Sequence, residues 1–152
     1  MKSLKLSDVC KIRYGKDHKK LADGHYPVYG SGGVMRHVEK PISQGPSVLI
    51  PRKGTLESLF YIDRPFWTVD TIFWTKIDEE KVVPKYLYYL LKTEDLASLN
   101  IGTAVPSLST NVLNEVQLMI PEKETQKKSV ALLDSIELKI ELNNQINDYL
   151  AA

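Results

Sequence analysis

The chain has 152 residues, 43% of them hydrophobic, enough for one compact domain and an extended appendage but cramped for two full domains. A single cysteine, Cys10, excludes an internal disulfide framework, and there is neither a charged-then-apolar leader nor a long uncharged apolar run, so a soluble cytoplasmic protein with no membrane association is expected. The net charge of +1 hides a segregation: residues 1–64 carry 12 Lys/Arg against 6 Asp/Glu, whereas residues 65–152 carry 8 against 13. His18, His25 and His37 all fall in the basic part. A basic region on a balanced chain is what phosphate binding requires, because each neutralised phosphate releases counterions, although ordinary solvated Lys and Arg would give the same count.

In chain order, Ser7-Asp8 predicts an N-cap for a helical turn over Asp8 to Ile12, followed by a polar, turn-rich stretch from Gly15 to Gly24. The runs Tyr26 to Tyr29 and Val34 to Val38 flank Gly30-Ser31-Gly32-Gly33, a hairpin signal. Strands are expected at Ser47 to Ile50 and Ser58 to Ile62, and the loop between them, Pro51 to Thr55, puts Arg52, Lys53 and a hydroxyl on a tight turn. Another strand follows from Asp70 to Ile77. Pro84 predicts the first turn of a helix reaching about Leu99, with Leu87, Leu90, Leu91 and Tyr86 facing inward. Ala104 to Thr110 is small and hydroxylated, Val116 to Ile120 reads as a strand, and Pro121 opens a final helix that continues to Leu150. At 1.5 Å per residue, roughly 29 helical residues span about 43 Å.

That last helix carries a heptad-like stripe. Leu133, Ile136, Ile140, Asn143, Asn147 and Leu150 follow a 3-4-3-4-3 spacing, with Leu132, Leu142 and Ile146 beside it. The stripe fits pairing with another helix, and an asparagine in such a seam fixes register at some cost in stability. Its first two turns are expected to pack on the chain's own body, and beyond about Ile140 the stripe is expected to mediate dimerisation. The fold class is therefore α+β: a β-rich domain with short helices over residues 1–121, then a long coiled-coil-type helix over 122–152.

Catalytic constellations are absent. No Walker-type phosphate loop, dinucleotide fingerprint, nucleophile elbow or metal-ligand spacing of histidines occurs, and one cysteine cannot build a zinc site. The nearest to an active site is Asp70 with Glu79, Glu80 and Lys81, which would need carboxylates converging on Mg²⁺ with the lysine near the attacking water. Residues 78–81 read more simply as a solvated turn. Binding chemistry is richer. Ser31, Arg36 and His37 lie on the hairpin, Arg52, Lys53 and Thr55 on the Pro/Gly loop, and Ser107, Ser109 and Thr110 after Gly102. Arginine suits bidentate contact with guanine, whereas lysine and hydroxyls suit phosphate. Phe66, Trp67, Phe73 and Trp74 are expected in the core rather than stacked on bases.

Taken together, Leu6 to Val9, Tyr26 to Gly33, Val48 to Thr55, Phe66 to Phe73, Tyr86 to Leu91, Gly102 to Ser109 and Ile120-Pro121 leading to Gln126 resemble the target-recognition domain of type I restriction-modification specificity subunits. The resemblance covers nearly the whole chain, and its specificity lies in the ordered combination. It implies a recognition domain followed by a spacer helix, with no catalysis of its own. It also implies double-stranded DNA as ligand, methyltransferase and restriction subunits as partners, and S-adenosylmethionine, ATP and Mg²⁺ held by those partners. The family's specificity subunit has two recognition domains and two spacer helices, where this chain has one of each. A half-subunit that homodimerises, or pairs with a second recognition domain through its C-terminal helix, is the expectation. Arg36 and Arg52 are the candidates for base contacts, with Lys53, Thr55, Ser107 and Thr110 nearer the backbone. The competing readings are a small Mg²⁺-dependent nuclease using Asp70, Glu79 and Lys81, and a dimerising scaffold that binds no DNA.

Overall fold

A computed structural model describes residues 1–152. Its first strand, β1 (Lys2–Lys5), pairs antiparallel with the last strand of the body, β9 (Gln117–Ile120). This pairing closes the body and makes the long helix α4 (Lys123–Ala151) depart from beside the N-terminus. Between β1 and the next strand lies a single turn, α1 (Leu6–Val9), which drives Leu6 and Val9 fully into the core. The expected cap and turn are displaced here. The Lys5 N–H donates to the Asp8 carboxylate at 2.8 Å, so Asp8 caps from inside the turn, and Cys10–Tyr14 is a strand, β2. Its alternation of buried Cys10, exposed Lys11, half-buried Ile12 and exposed Arg13 is a period-two pattern, and β8 (Ile72–Ile77) supplies the partner that makes it a strand.

The main sheet has the order β2-β8-β5-β6, all antiparallel, with β5 (Ser47–Pro51) and β6 (Phe60–Ile62). All five residues of β5 are buried because both of its faces are covered. Val48 and Ile50 join the cluster formed with Leu87 and Leu91 of α2 (Pro84–Thr93), whereas Leu49 packs with Ile62, Phe66 and Ile72. The second sheet contains the expected hairpin, β3 (Asp23–Gly30) and β4 (Gly33–Val38), turning at Ser31-Gly32, and has β7 (Trp67–Thr68) on the other side of β3. Gly33 has φ +109°, a conformation that side chains with a Cβ rarely adopt. The two-residue β7 runs parallel to β3, and Phe66, Trp67 and Phe73 are buried as core aromatics.

α2 is shorter than its apolar periodicity implies. Glu94 takes extended backbone, and a 3₁₀ turn over Leu96–Leu99 follows, capped by Asp95, which accepts from the Ser98 N–H at 3.2 Å. A short helix that sequence reasoning did not place, α3 (Thr110–Asn114), precedes β9, with the Ser109 hydroxyl accepting from the Val112 N–H at 3.3 Å. The first turns of α4 lie against α2. Gln126, 1% exposed, accepts from the Val83 N–H at 2.7 Å and donates to the Pro121 carbonyl at 2.8 Å. Farther along, Asp134 accepts from Lys85 at 2.8 Å and from the Tyr89 hydroxyl at 2.6 Å, and that hydroxyl also lies 2.8 Å from Glu137. From Ser135 onward every residue of α4 is exposed, so the helix leaves the body as a rod. No helix is long and apolar enough to cross a membrane.

Candidate nucleic-acid interface

The turn between β7 and β8, Val69 to Thr71, organises one end of the body. The Tyr29 carbonyl, near the end of β3, accepts from the Val69 N–H at 3.2 Å and the Thr68 hydroxyl at 3.0 Å, which seats the base of the hairpin turn beside Asp70. On its other flank, the Arg52 N–H donates to the Thr71 carbonyl at 2.8 Å and the Arg52 guanidinium to the Asp70 carbonyl at 3.0 Å. That guanidinium also sits 5.2 Å from the centroid of the Tyr14 ring, which is 52% exposed. Lys53 is exposed and donates its N–H to the Thr71 carbonyl at 3.3 Å.

The Arg52 loop is zipped to a second loop distant in sequence. Lys53 and Ser107 form an antiparallel bridge, the Gly54 N–H donates to the Pro106 carbonyl at 2.9 Å, and the Leu108 N–H donates to the Arg52 carbonyl at 2.9 Å. Gly54 makes this approach with φ +90°. Of the expected contact residues, the fold thus gathers Arg52, Lys53, Thr55 and Ser107 onto two joined loops, with Ser31 on the hairpin tip across the Val69–Thr71 turn. Tyr14 and Lys16, whose N–H donates to the Thr68 carbonyl at 2.9 Å, belong to the same end. Neither stands out in the sequence: the expected helical turn over Asp8 to Ile12 overlaps only the first residues of the strand that delivers Tyr14, and Lys16 sits in the polar stretch that follows.

The remaining candidates go elsewhere. Arg36 and His37 are consecutive on β4 and therefore point to opposite faces. Arg36 is turned inward: its guanidinium donates to Asp23 at 2.6 Å and to the carbonyls of Leu21 at 3.0 Å and His18 at 3.3 Å. Those bonds make it a clamp on the polar stretch before the hairpin rather than a free base reader. His37 lines a separate shallow groove with His25, Tyr29, Tyr61 and Arg64. Ser109 spends its hydroxyl on the α3 cap, and Thr110 is the first residue of that helix.

The alternative nuclease cluster does not assemble. Asp70 precedes β8 and Glu79 and Glu80 follow it, so the six-residue strand separates them by about 20 Å. Lys81 donates to the Asp8 carbonyl at 2.9 Å and lies 3.4 Å from Asp78. Burial pushes the Cys10 thiol up to about 12, which leaves it a packing residue rather than a nucleophile.

On α4, Leu133 is half-buried at the edge of the body, whereas Ile136 is 44% exposed, Ile140 and Ile146 are each 55% exposed and Leu150 is 74% exposed. Asn143 and Asn147 are exposed on the same stripe.

The model of the type I restriction modification DNA specificity domain matches residues 1–152. A Mycoplasma pneumoniae protein, provisionally named as the N-terminus of type I specificity subunit S.MpnORF289P, is 27% identical over 144 residues, covering 89% of this chain and 77% of its own. The specificity subunit of the type I restriction enzyme MjaIX from Methanocaldococcus jannaschii is 31% identical over 144 residues, covering 87% of this chain but 33% of its own. Among solved structures, the type I restriction-modification S subunit from M. genitalium superposes with TM-score 0.77 at 16% identity, over 92% of this chain and 40% of its own. The chain thus spans less than half the length of the solved S subunit and about a third of the MjaIX subunit.

Proposed function

Because the chain belongs to the type I restriction modification DNA specificity family, we propose that it reads one half of a bipartite DNA target within a methylation and restriction complex and performs no catalysis itself. The observation that carries this reading is the joining of the Arg52-Lys53 loop to the Ser107 loop at one end of a β-rich body, from which a 29-residue helix projects. Arg52, steadied by Tyr14 and the Asp70 carbonyl, supplies the base contact; Lys53, Thr55, Ser107 and Ser31 hold the duplex backbone and fix register. His37, on its own groove, would meet the duplex away from this patch.

The exposed stripe of α4 pairs with a second copy or with a second recognition domain, and its length sets the separation of the two readers. At 1.5 Å per residue it spans about 43 Å, an upper limit of about a dozen base pairs. A symmetric pair would read an inverted repeat. Methyltransferase and restriction subunits are the partners in this reading, with S-adenosylmethionine, ATP and Mg²⁺ bound by them, and the setting is the cytoplasm.

The test is methylation profiling of the host genome with and without the gene. A split motif that loses its methylation when the gene is removed, and one half of which changes when Arg52 is replaced, is expected. An unchanged methylome, with active methyltransferase subunits present, overturns the reading.

A further inference from the structure

The loop joined to the Arg52 loop has features that base reading does not use. The Asn100 side-chain oxygen accepts from both the Gly102 N–H and the Ser107 N–H, each at 2.8 Å, and the Ile101 N–H donates to the Ser107 carbonyl at 2.9 Å. One amide side chain thus braces both ends of a six-residue arch, residues 102–107. Gly102 is required at its start, since an added Cβ would lie 1.9 Å from the Val105 carbonyl oxygen and 2.7 Å from the Ser107 hydroxyl. Thr103, Ala104 and Val105 at the crest are exposed, and their three consecutive amide N–H groups have no acceptor within the chain. Nor do the Thr103 hydroxyl and the Lys53 ammonium, the latter carried on the loop bridged to Ser107.

We propose that this arch, residues 102–107, is a phosphate grip: the amides of Thr103, Ala104 and Val105 and the Thr103 hydroxyl donate to one phosphate of the DNA backbone, Lys53 supplies the nearby positive charge, and Asn100 is the positioning residue. Consecutive backbone N–H groups on a bent, braced loop make an anion-binding concavity with little reorganisation on binding, and contacts of this kind fix register without reading sequence. The proposal rests on the chain being a DNA reader, and extends it to groups that side-chain patterns in the sequence do not reveal.

The experiment measures binding of the full chain to target and random-sequence duplexes by fluorescence anisotropy, from about 50 mM salt upward, for wild type, Asn100→Asp, Asn100→Ala and Thr103→Val. Asn100→Asp keeps the bracing oxygen while placing a negative charge at the arch. It should unfold like wild type yet bind both duplexes at least about tenfold more weakly. Thr103→Val should weaken both equally, by about threefold to tenfold, the range for one lost hydrogen bond. Arg52→Ala, by contrast, should lose target affinity alone. Asn100→Asp and Thr103→Val variants that are folded and bind like wild type overturn the grip. So does full binding by Asn100→Asp where Asn100→Ala is impaired, since Asn100 would then be only a brace. A wild-type chain that binds no duplex defeats the DNA-reading assignment itself, and the grip with it.

Discussion

Arg52 lies over the ring of Tyr14, 5.2 Å from its centroid, and spends one N–H on the Asp70 carbonyl at 3.0 Å. Its other guanidinium donors have no partner in the chain, so the planar fork is oriented before any ligand arrives. Arg52→Ala should lower affinity for the cognate duplex by about 1–3 kcal/mol and flatten discrimination at one base position. Arg52→Lys should rescue little of this, because lysine lacks the fork. Competition between single-base variants of the target measures it, and equal affinity of Arg52→Ala and wild type for every variant contradicts the role.

The Lys53 ammonium differs from the Arg52 guanidinium in having no acceptor and no stacking partner in the chain. As a phosphate contact it should contribute uniformly across sequences. Lys53→Ala should reduce the magnitude of the slope of log affinity against log salt by about 1, leaving the ranking of target variants unchanged. A changed ranking at constant slope would move Lys53 into the base-reading set.

Arg36 should behave as a structural residue. Its bonds to Asp23, Leu21 and His18 tie the stretch before β3 to β4, and its side chain is 28% exposed. Arg36→Ala should cost about 1–3 kcal/mol of stability, from hydrogen bonds to a charged donor, read as a lower urea midpoint. The salt slope of DNA binding should stay as in wild type.

What the sequence made legible follows from range. The Tyr26–Val38 hairpin, the buried run at Ser47 to Ile50 and the long terminal helix are each specified by local spacing and turn residues, and each is present. Cys10–Tyr14 does alternate apolar and polar residues, but the run is short and overlaps the expected helical turn over Asp8 to Ile12, and pairing with β8 decides for the strand; β7, two residues long, carries no local signal. The same distinction divides the site. The Arg52-Lys53 loop was visible from its residue types. The opposed directions of Arg36 and His37 depend on strand register, and the union of Lys53 with Ser107 spans more than fifty residues of chain. Tyr89 illustrates the converse: it falls off the leucine stripe of α2 but is 8% exposed, because Asp134 and Glu137 on another helix receive its hydroxyl.

That contact predicts how the rod is held to the body. The Tyr89 hydroxyl has one proton and two carboxylate neighbours, and burial followed by these bonds keeps it from ionising at any ordinary pH. At Asp134, burial opposes the charge, but the bonds from Lys85 and Tyr89 outweigh it and hold the carboxyl below its ordinary value of 3.8. A carboxyl with a depressed pKa in the folded state stabilises fully above the unfolded value, and that contribution is lost as pH falls through the folded one. Tyr89→Phe should therefore lower stability by about 1–2 kcal/mol at neutral pH. It should also lose less than wild type on acidification below about pH 4. Parallel acid-unfolding curves would show that the pair contributes nothing.

The free part of α4 predicts association without loss of fold. Ile136 and Ile140 lie at the start of the exposed stretch, 44% and 55% exposed, and a carboxylate at either would meet a paired apolar seam rather than the body. Ile136→Asp and Ile140→Asp should each weaken pairing by at least about 2 kcal/mol, the cost of burying a polar group without a partner, while leaving the urea midpoint of the body unchanged. Sedimentation at micromolar concentration should find wild type paired and the double variant single. The single form should retain binding to one half of the target and lose the dependence on the spacing between halves, because the rod no longer fixes a second reader. A wild-type chain that sediments as a monomer at this concentration excludes the homodimer and leaves a second recognition domain as the partner of the stripe.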